Sequence, residues 1–586
     1  MWLAPTARRG RHGSVLNTNN ASFPLRLHSL SRMNRPRLLL ALASLFASLL
    51  FIPGIRWGLP SRASDAFLFG SHRPWTGKEI IDLAGGWDDA ANRGSDVALH
   101  PLEHRDETIV LNETDAQRAQ IVRRFRLYSS QPDELITLRA LSRMKPGQLD
   151  LDPKFYQYGG LWVYGVAAMT KAAAVLHFVT LKGDLAYYLN HSEEFGKLYV
   201  VMRSYSVLWG LIGVVVSFKL LHEWIGRPFP AFLGAMIYAS MPVVVNAAHE
   251  AKPHLAGAVL TFAAVWSAAR FLRNGKTRWA VWTAVFCAAA GSMALTGLAS
   301  LLVVPTMLLL APMNWRKRIQ LLQILITISV ITFAILNPYL LWNLAFHRDV
   351  VQSNMGNTGA MYSPHFSGNT IANALRLITL GATPILAAAG FLVVLITSCL
   401  KMRQLDVRLR WIIFSAIAVT GIQFILLASA KPAEYARFAI SIDIAVAVLF
   451  VAGLFDQVPR AAAVVCTIAL IACAAQGQRY TRAAIKDDTR RAAAEELQSK
   501  LNSTTHKTLL LEAEPSPYCF PPANLFDWKI VLLPRSVSAE NTSGFTNATY
   551  VRTSDSASAA PIGWADKAFE IATELPASTT EPAKRE

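Results

Sequence analysis

The stretch GGLWVYGVAAMTKAAAVLHFVTL (159–181) decides how this chain is threaded. It is apolar and long enough to cross a bilayer, which takes about 20 residues. It also carries Lys171 and His177. Short basic loops follow it: Arg270, Arg273, Lys276 and Arg278; Arg316, Lys317 and Arg318; Lys401, Arg403, Arg408 and Arg410. Arg8, Arg9, Arg11, Arg26, Arg32, Arg35 and Arg37 stand before the first apolar run. Basic loops stay on the cytoplasmic side. A crossing at 159–181 would put every later basic loop outside. The stretch therefore reads as a re-entrant or interfacial helix.

Working outward, apolar runs at 37–55, 199–221, 228–247, 255–272, 279–292, 295–312, 319–341, 379–399, 411–429, 437–455 and 460–475 read as spans. That makes about eleven crossings, with the N-terminus inside and the C-terminus outside. The run 279–312 is long for one crossing and short for two; Gly291, Ser292 and Gly297 supply a tight outer hairpin. Of the 586 residues, 53% are hydrophobic and 16% charged, against about 45–50% and about 25% in soluble domains. The net charge of +18 is then a matter of topology, and no nucleic-acid partner is expected. Cys287, Cys399, Cys466, Cys473 and Cys519 show no zinc-like spacing.

The expected fold is an all-α polytopic membrane protein with interfacial helices in the first outer loop and a small C-terminal α/β extension. Residues 1–36 read as a disordered basic segment, with Met33 a candidate start. Residues 37–476 form the transmembrane domain, including the large outer loop 57–198. The first apolar run reads as an anchor, since no small-residue cleavage site follows it. Residues 477–535 form the extension, with a polar helix around 481–501 and strands in KTLLLEA (507–513) and KIVLLP (529–534). The Ser-, Thr- and Ala-rich tail 536–586 reads as disordered.

Polarity collects on the outer side. DAQRAQIVRRFRLY (115–128) and PDELITLRALSRMK (132–145) look like amphipathic helices on the bilayer surface. Asp133 and Glu134 suit a helix start, so capping is one account of them. Lys252, Arg348, Lys431 and Arg437 are cations at the outer membrane edge, and Arg203 sits just inside the second span. Ionisable groups at such depths tend to be functional, while snorkelling is the plain alternative for the arginines. Asp443, inside the tenth span, is expected to pair with a base. Asn112, Asn190, Asn502, Asn541 and Asn547 are outer sequons to which no function is attached. No phosphate-binding glycine loop and no HExxH appears. One-sided polarity suits an enzyme acting on a lipid-linked phosphate: cations hold the leaving phosphate and a carboxylate takes a proton from an acceptor hydroxyl.

At QPDELITLRALSRMKPGQLDLDPKFYQYGGLWVYGVAAM (131–169) the chain resembles the first outer loop of the GT-C glycosyltransferases, such as protein O-mannosyltransferases and the aminoarabinose transferase of lipid A. Asp133-Glu134 match the acidic pair, Asp152-Pro153 the turn, and Tyr158-Gly159-Gly160-Leu161 the aromatic motif. MRSYSVLWGLIGVV (202–215), NPYLLWNLAFHRDV (337–350) and EPSPYCFPPANLFDWKIVLLP (514–534) are similar to later family segments.

The resemblance, over about residues 37–535, implies Asp133 as catalytic base and Glu134 as the group positioning acceptor or sugar. Arg203, with Lys252 or Arg437, would hold the carrier phosphate, and Tyr158 would join the substrate-binding set. Configuration would invert in one displacement. Asp65 in WGLPSRASDAF (57–67) is a rival first acid. Glu250 in AHEAKPH (248–254) is the nearest acid where the family often has an Asp. The His249–Glu250–His254 spacing is loose, so no metal and no cofactor is expected. The expected partners are a polyprenyl-phosphate-sugar donor, a glycan, lipid or protein acceptor, and membrane lipid. The expected place is the inner or plasma membrane, with the site facing outward (or lumenal in an ER-type protein). A transporter or flippase for a lipid-linked sugar, and a non-catalytic assembly protein, are the rival functions.

Overall fold

The computed structural model describes residues 28–85, 106–352, 354, 368–396, 407–429, 436–486, 489–503, 507–511, 516–534, 548–554 and 568–572. Residues 1–27, Lys401, Arg403, Cys399, Lys431, Asn541 and Asn547 lie outside that set.

Helix α1 (His28–Phe51) leads into the long region before the bundle that was expected to be the first outer loop. There α2 (Asp65–Phe69), α3 (Gly77–Ala84), strand β1 (Ile109–Val110), α4 (Asp115–Leu127), α5 (Glu134–Arg143), α6 (Gly160–Val175) and α7 (Leu185–Asn190) follow. A capping box starts α4: the Thr114 side chain accepts from the Gln117 N–H and Gln117 answers at the Thr114 N–H. Ile121, Val122, Phe125 and Arg126 of α4 are buried. This helix does not lie open on a lipid surface as its sequence suggested. It is walled in by α3 and by the C-terminal extension, because its charged residues find partners there. Helix α6 has 16 residues, about 24 Å at 1.5 Å per residue, short of a hydrocarbon core of about 30 Å.

The long helix α8 (Ser192–Ile225) opens the bundle, followed by α9 (Pro228–Ser240), α10 (Pro242–Ala248), α11 (His254–Asn274) and α12 (Thr277–Met293). A 3₁₀ segment (Leu295–Leu302) turns the chain back into α13 (Val303–Leu310), so the run 279–312 does form a hairpin. Then come α14 (Trp315–Leu336) and α15 (Pro338–Phe346). Beyond the next loop lie α16 (Gly368–Ala382), α17 (Pro384–Ile396), α18 (Val407–Ser429), α19 (Ile440–Gln457) and α20 (Pro459–Lys486).

Two expected spans are broken. Between α9 and α10 the axis bends by 61°, and between α16 and α17 by 106°. A proline opens the second half of each, and the residue before proline is driven out of helical geometry. At the second break Thr383 adopts φ +75°. Among the described residues, five helices are long and apolar enough to cross a membrane, or seven if each bent pair is one span. The eleven crossings expected are not confirmed by this count; α12 and α13, for example, are individually short, at 17 and 8 residues. The protein is nonetheless a helical integral membrane protein.

The C-terminal part holds α21 (Thr489–Asn502), β2 (Thr508–Leu511), β3 (Lys529–Leu532), β4 (Thr549–Ser554) and β5 (Ala568–Ala572). The sheet order is β1-β3-β2-β4-β5. β2 pairs parallel with β3 and β4, while β1 and β5 close the edges antiparallel. The tail after 536 was expected to be disordered; β4 and β5 correct that. Their composition hides a strand because it is the parallel partner β2 that satisfies the β4 backbone. Strand β1 comes from the outer loop, so the extension is stitched to it. Asn112 ties the seam: its Nδ2 donates to the Leu525 and Trp528 carbonyls (2.8 and 2.7 Å), and its Oδ1 accepts from Ile530 N (2.9 Å).

Candidate active site

The segment Ser129–Glu134 turns the chain from α4 into α5. Asp133 occupies the position before the first helical residue, yet its side chain caps nothing. Gln131 Oε1 accepts from the Asp133 N–H instead (2.8 Å). The Asp133 carboxylate turns away and meets two cations. Its Oδ2 accepts from Lys252 Nζ and, at 2.9 Å, from Arg437 Nη2. The Asp133 side chain is 31% exposed, while both cations are nearly closed off. Capping therefore does not account for Asp133. Burial pushes its carboxyl up, but Lys252 and Arg437 outweigh that and bring it down to about 2.

Glu134 behaves differently. It is fully buried and forms a two-point ion pair with Arg203, Nε to Oε1 and Nη2 to Oε2, both 2.8 Å. Ala251 N and Ser129 Oγ also donate to it, at 2.8 and 2.6 Å. Arg203 Nη1 donates to the Ile55 and Trp57 carbonyls, and the guanidinium lies 4.9 Å from the Trp57 ring. The resemblance assigned Arg203 to the carrier phosphate and Glu134 to the acceptor or sugar. In the structure neither side chain reaches solvent and each engages the other, so the pair fastens α5 to α8. The fork of Arg203 matches the Glu134 carboxylate.

Lys252 lies in the turn between α10 and α11. Besides Asp133 it donates to Tyr158 Oη at 3.3 Å. Burial, with Arg437 beside it, draws the Lys252 ammonium down to about 8. Tyr158 is held by a backbone bridge to Ala294 and by edge contact with Phe155. Glu250 is buried; Gln131 Nε2 and Asn246 Nδ2 donate to it at 3.3 and 3.2 Å. Burial pushes its carboxyl up.

Asp65 is drawn off elsewhere. Arg126 holds it through Nε (3.0 Å) and Nη2 (2.9 Å), and Arg62 adds a third contact at 3.2 Å. This pair locks α2 to α4, so Asp65 is no rival to Asp133 at the two cations. Asp443, expected to have a basic partner, has none among the described residues. No three His, Cys, Asp or Glu side chains among the described residues group as a metal site, so His249, Glu250 and His254 do not form one.

Two clefts flank the Asp133 cluster. One is lined by the apolar Leu426, Phe438 and Ile440 together with the polar His254, Thr296, Gln423, Ser441 and Arg437, among others. The other is walled by Phe155, Tyr156, Tyr158, Tyr164, Asn337 and Leu340 among others. Sequence reasoning named Tyr158 of this wall but gave no role to Asn337 or Asn343. Asn337 Oδ1 accepts from Gly160 N (2.8 Å), and its Nδ2 donates to Ser292 Oγ (2.7 Å). Asn343 Nδ2 donates to Asp152 Oδ2 (2.8 Å). Two signals were available: Asn337 directly before Pro338, a helix-start pattern, and the resemblance of 337–350 to a family segment.

Residues 191–342 match the family model described as dolichyl-phosphate-mannose-protein mannosyltransferase. No curated protein matches the sequence. Among solved structures the chain is similar to ArnT from Cupriavidus metallidurans bound to undecaprenyl phosphate, with 11% identity and a TM-score of 0.46 over 77% of this chain and 96% of that one. It is also similar to the archaeal oligosaccharyltransferase AglB from Archaeoglobus fulgidus in complex with an inhibitory peptide and a dolichol-phosphate, with 12% identity and a TM-score of 0.41 over 85% of this chain and 65% of that one. The match over 191–342 takes in α8 with Arg203 and the turn with Lys252, and it bears out the resemblance to the lipid-carrier-dependent glycosyltransferases of the GT-C superfamily.

Proposed function

We propose that this protein is a membrane glycosyltransferase that moves a sugar from a polyprenyl-phosphate donor to an acceptor hydroxyl, with Asp133 as general base. The observation that carries this reading is a partly exposed carboxylate held by two buried cations, one of which, Arg437, also lines a cleft with apolar and polar walls. The isoprenoid chain fits the cleft beside α11 and α18, and its phosphate meets Arg437 and Lys252. The description of the matched family, built on a lipid-phosphate-linked sugar, agrees with such a donor.

The chemistry follows from the charges. In the free protein both cations serve Asp133, which keeps it ionised and weakly basic. An arriving phosphate takes a share of the same two cations. Asp133 loses part of their stabilisation and its proton affinity rises. The acceptor oxygen then attacks the anomeric carbon as its proton passes to Asp133. The bond from that carbon to the phosphate oxygen breaks, and the electron pair leaves with the phosphate, where Lys252 and Arg437 stabilise it. A single displacement inverts configuration. Arg203 and Glu134 serve as positioning residues for α5. The site faces outward across an inner or plasma membrane in this reading, in keeping with the basic loops.

The test is transfer of labelled sugar from polyprenyl-phosphate donors by the full-length protein in membranes. Asp133→Asn should lose at least about 100-fold in rate, within the usual worth of a general base, with insertion unchanged. Undiminished transfer by that variant would overturn the assignment. Movement of intact lipid-linked sugar across sealed vesicles, without its consumption, would favour a flippase.

A further inference from the structure

Asp443 is the one fully buried carboxylate in the bundle, among the described residues, that no N–H or O–H donor reaches at either oxygen. It projects from the first turn of α19 against the last turn of α16. A methyl group added at Gly381 would lie 2.2 Å from its Oδ2, so glycine is what lets the carboxyl sit against that helix end. The same end is short of donors. Pro384 has no N–H for the Leu380 carbonyl. The 106° bend turns the next amides elsewhere: Leu386 N donates to Thr383 Oγ1 (3.3 Å) and Ala387 N to the Thr383 carbonyl (2.9 Å). Ala382 O receives only the Cys473 thiol, at 3.7 Å.

An ionised carboxylate here would face the negative end of a helix with no cation bonded to it among the described residues. Neither α10 nor α17 carries a charged residue. Arg376 of α16 is exposed, and Arg437 bonds Asp133. A neutral carboxylic acid removes the conflict, since its O–H is the donor that the α16 carbonyls lack.

We propose that Asp443 is a positioning residue held as the neutral acid, pinning the α16–α17 elbow to α19 so that Arg437 is presented to the donor phosphate. Helix α16 packs against the turn Ala436–Ala439 that carries Arg437, and against α18, which places the elbow behind the donor cleft. The role in donor binding rests on the function proposed above; the protonation state does not.

The experiment has two arms, both on the full chain in lipid nanodiscs. The first is the infrared difference spectrum between wild type and Asp443→Asn at pH 7. A protonated-carboxyl C=O band lost in the variant is expected; loss of a carboxylate band instead would overturn the proposal, whatever reaction the protein catalyses. The second is binding of undecaprenyl phosphate. Asp443→Asn, whose amide also donates, should bind within about twofold of wild type. Asp443→Ala should bind roughly tenfold more weakly, the scale of one buried donor lost. Equal weakening in both variants, or none in Asp443→Ala, would overturn the positioning role.

Discussion

Arg203 on α8 and Glu134 on α5 form a two-point ion pair that is closed to solvent on both sides. The neighbouring Asp133 pairs instead with Lys252 and Arg437. Adjacent helical residues point about 100° apart, so two acids side by side in the chain serve different partners. One holds the fold and the other faces the cleft.

Breaking the closed pair leaves a buried charge alone. Arg203→Ala or Glu134→Gln should destabilise the protein by roughly 3–5 kcal/mol, as for other buried pairs that lose one member. A thermal melt in detergent reads this as a lowered midpoint. Donor and acceptor binding should fall together, and selective loss of donor affinity would return Arg203 to the phosphate.

Lys252 gives a pH dependence of definite sign. Its ammonium, drawn down to about 8 by burial and by Arg437, loses charge as pH rises through that value. Affinity for a polyprenyl phosphate should fall over the same window. Lys252→Arg keeps its charge, so its binding curve should stay flat from pH 7 to 10. Titration of undecaprenyl phosphate binding across that range is the check.

The acid side is set by Asp133. Its carboxyl is held at about 2 against an ordinary value of 3.8. The stability it contributes is fully present above about pH 4 and is lost as pH falls through about 2. Asp133→Asn should therefore flatten the change in melting temperature between pH 4 and pH 2 relative to wild type.

Asn112 sits in an Asn-x-Thr sequon but is buried and bonded at both ends of its amide. It should carry no glycan, which intact-mass analysis will read. Asn112→Ala strips donors from two carbonyls and an acceptor from Ile530 N, each lost partner costing about 1–3 kcal/mol where burial persists. Limited proteolysis should then release the C-terminal extension far sooner than in wild type.

Much of the architecture was legible in particular residues. The apolar runs marked the helices of the bundle, and the run at 159–181 corresponds to the 16-residue helix α6. The bends before Pro242 and Pro384 were written in the prolines, yet hydropathy alone blurs a break of one residue into a continuous span. The strands β4 and β5 were not legible, because strands of six and five residues inside a Ser-, Thr- and Ala-rich tail draw their stability from their partners rather than from their own pattern. Lys252 and Arg437 were picked out as cations by their place at the ends of apolar runs, while the burial of Arg203 against Glu134 depends on a contact between α5 and α8 that no local pattern carries.

By itself the sequence determined a helical membrane protein and the acidic pair at the start of α5. Local rules suffice there, because apolar run length and helix-start preference act within a few residues. Only the tertiary structure decided which carboxylate meets which cation. Those pairings span 69 residues for Glu134 and Arg203, 119 for Asp133 and Lys252, and 304 for Asp133 and Arg437. An ion pair is made where packing brings two charges within reach at low exposure, and that depends on how α5, α8, the α10–α11 turn and the turn before α19 are assembled.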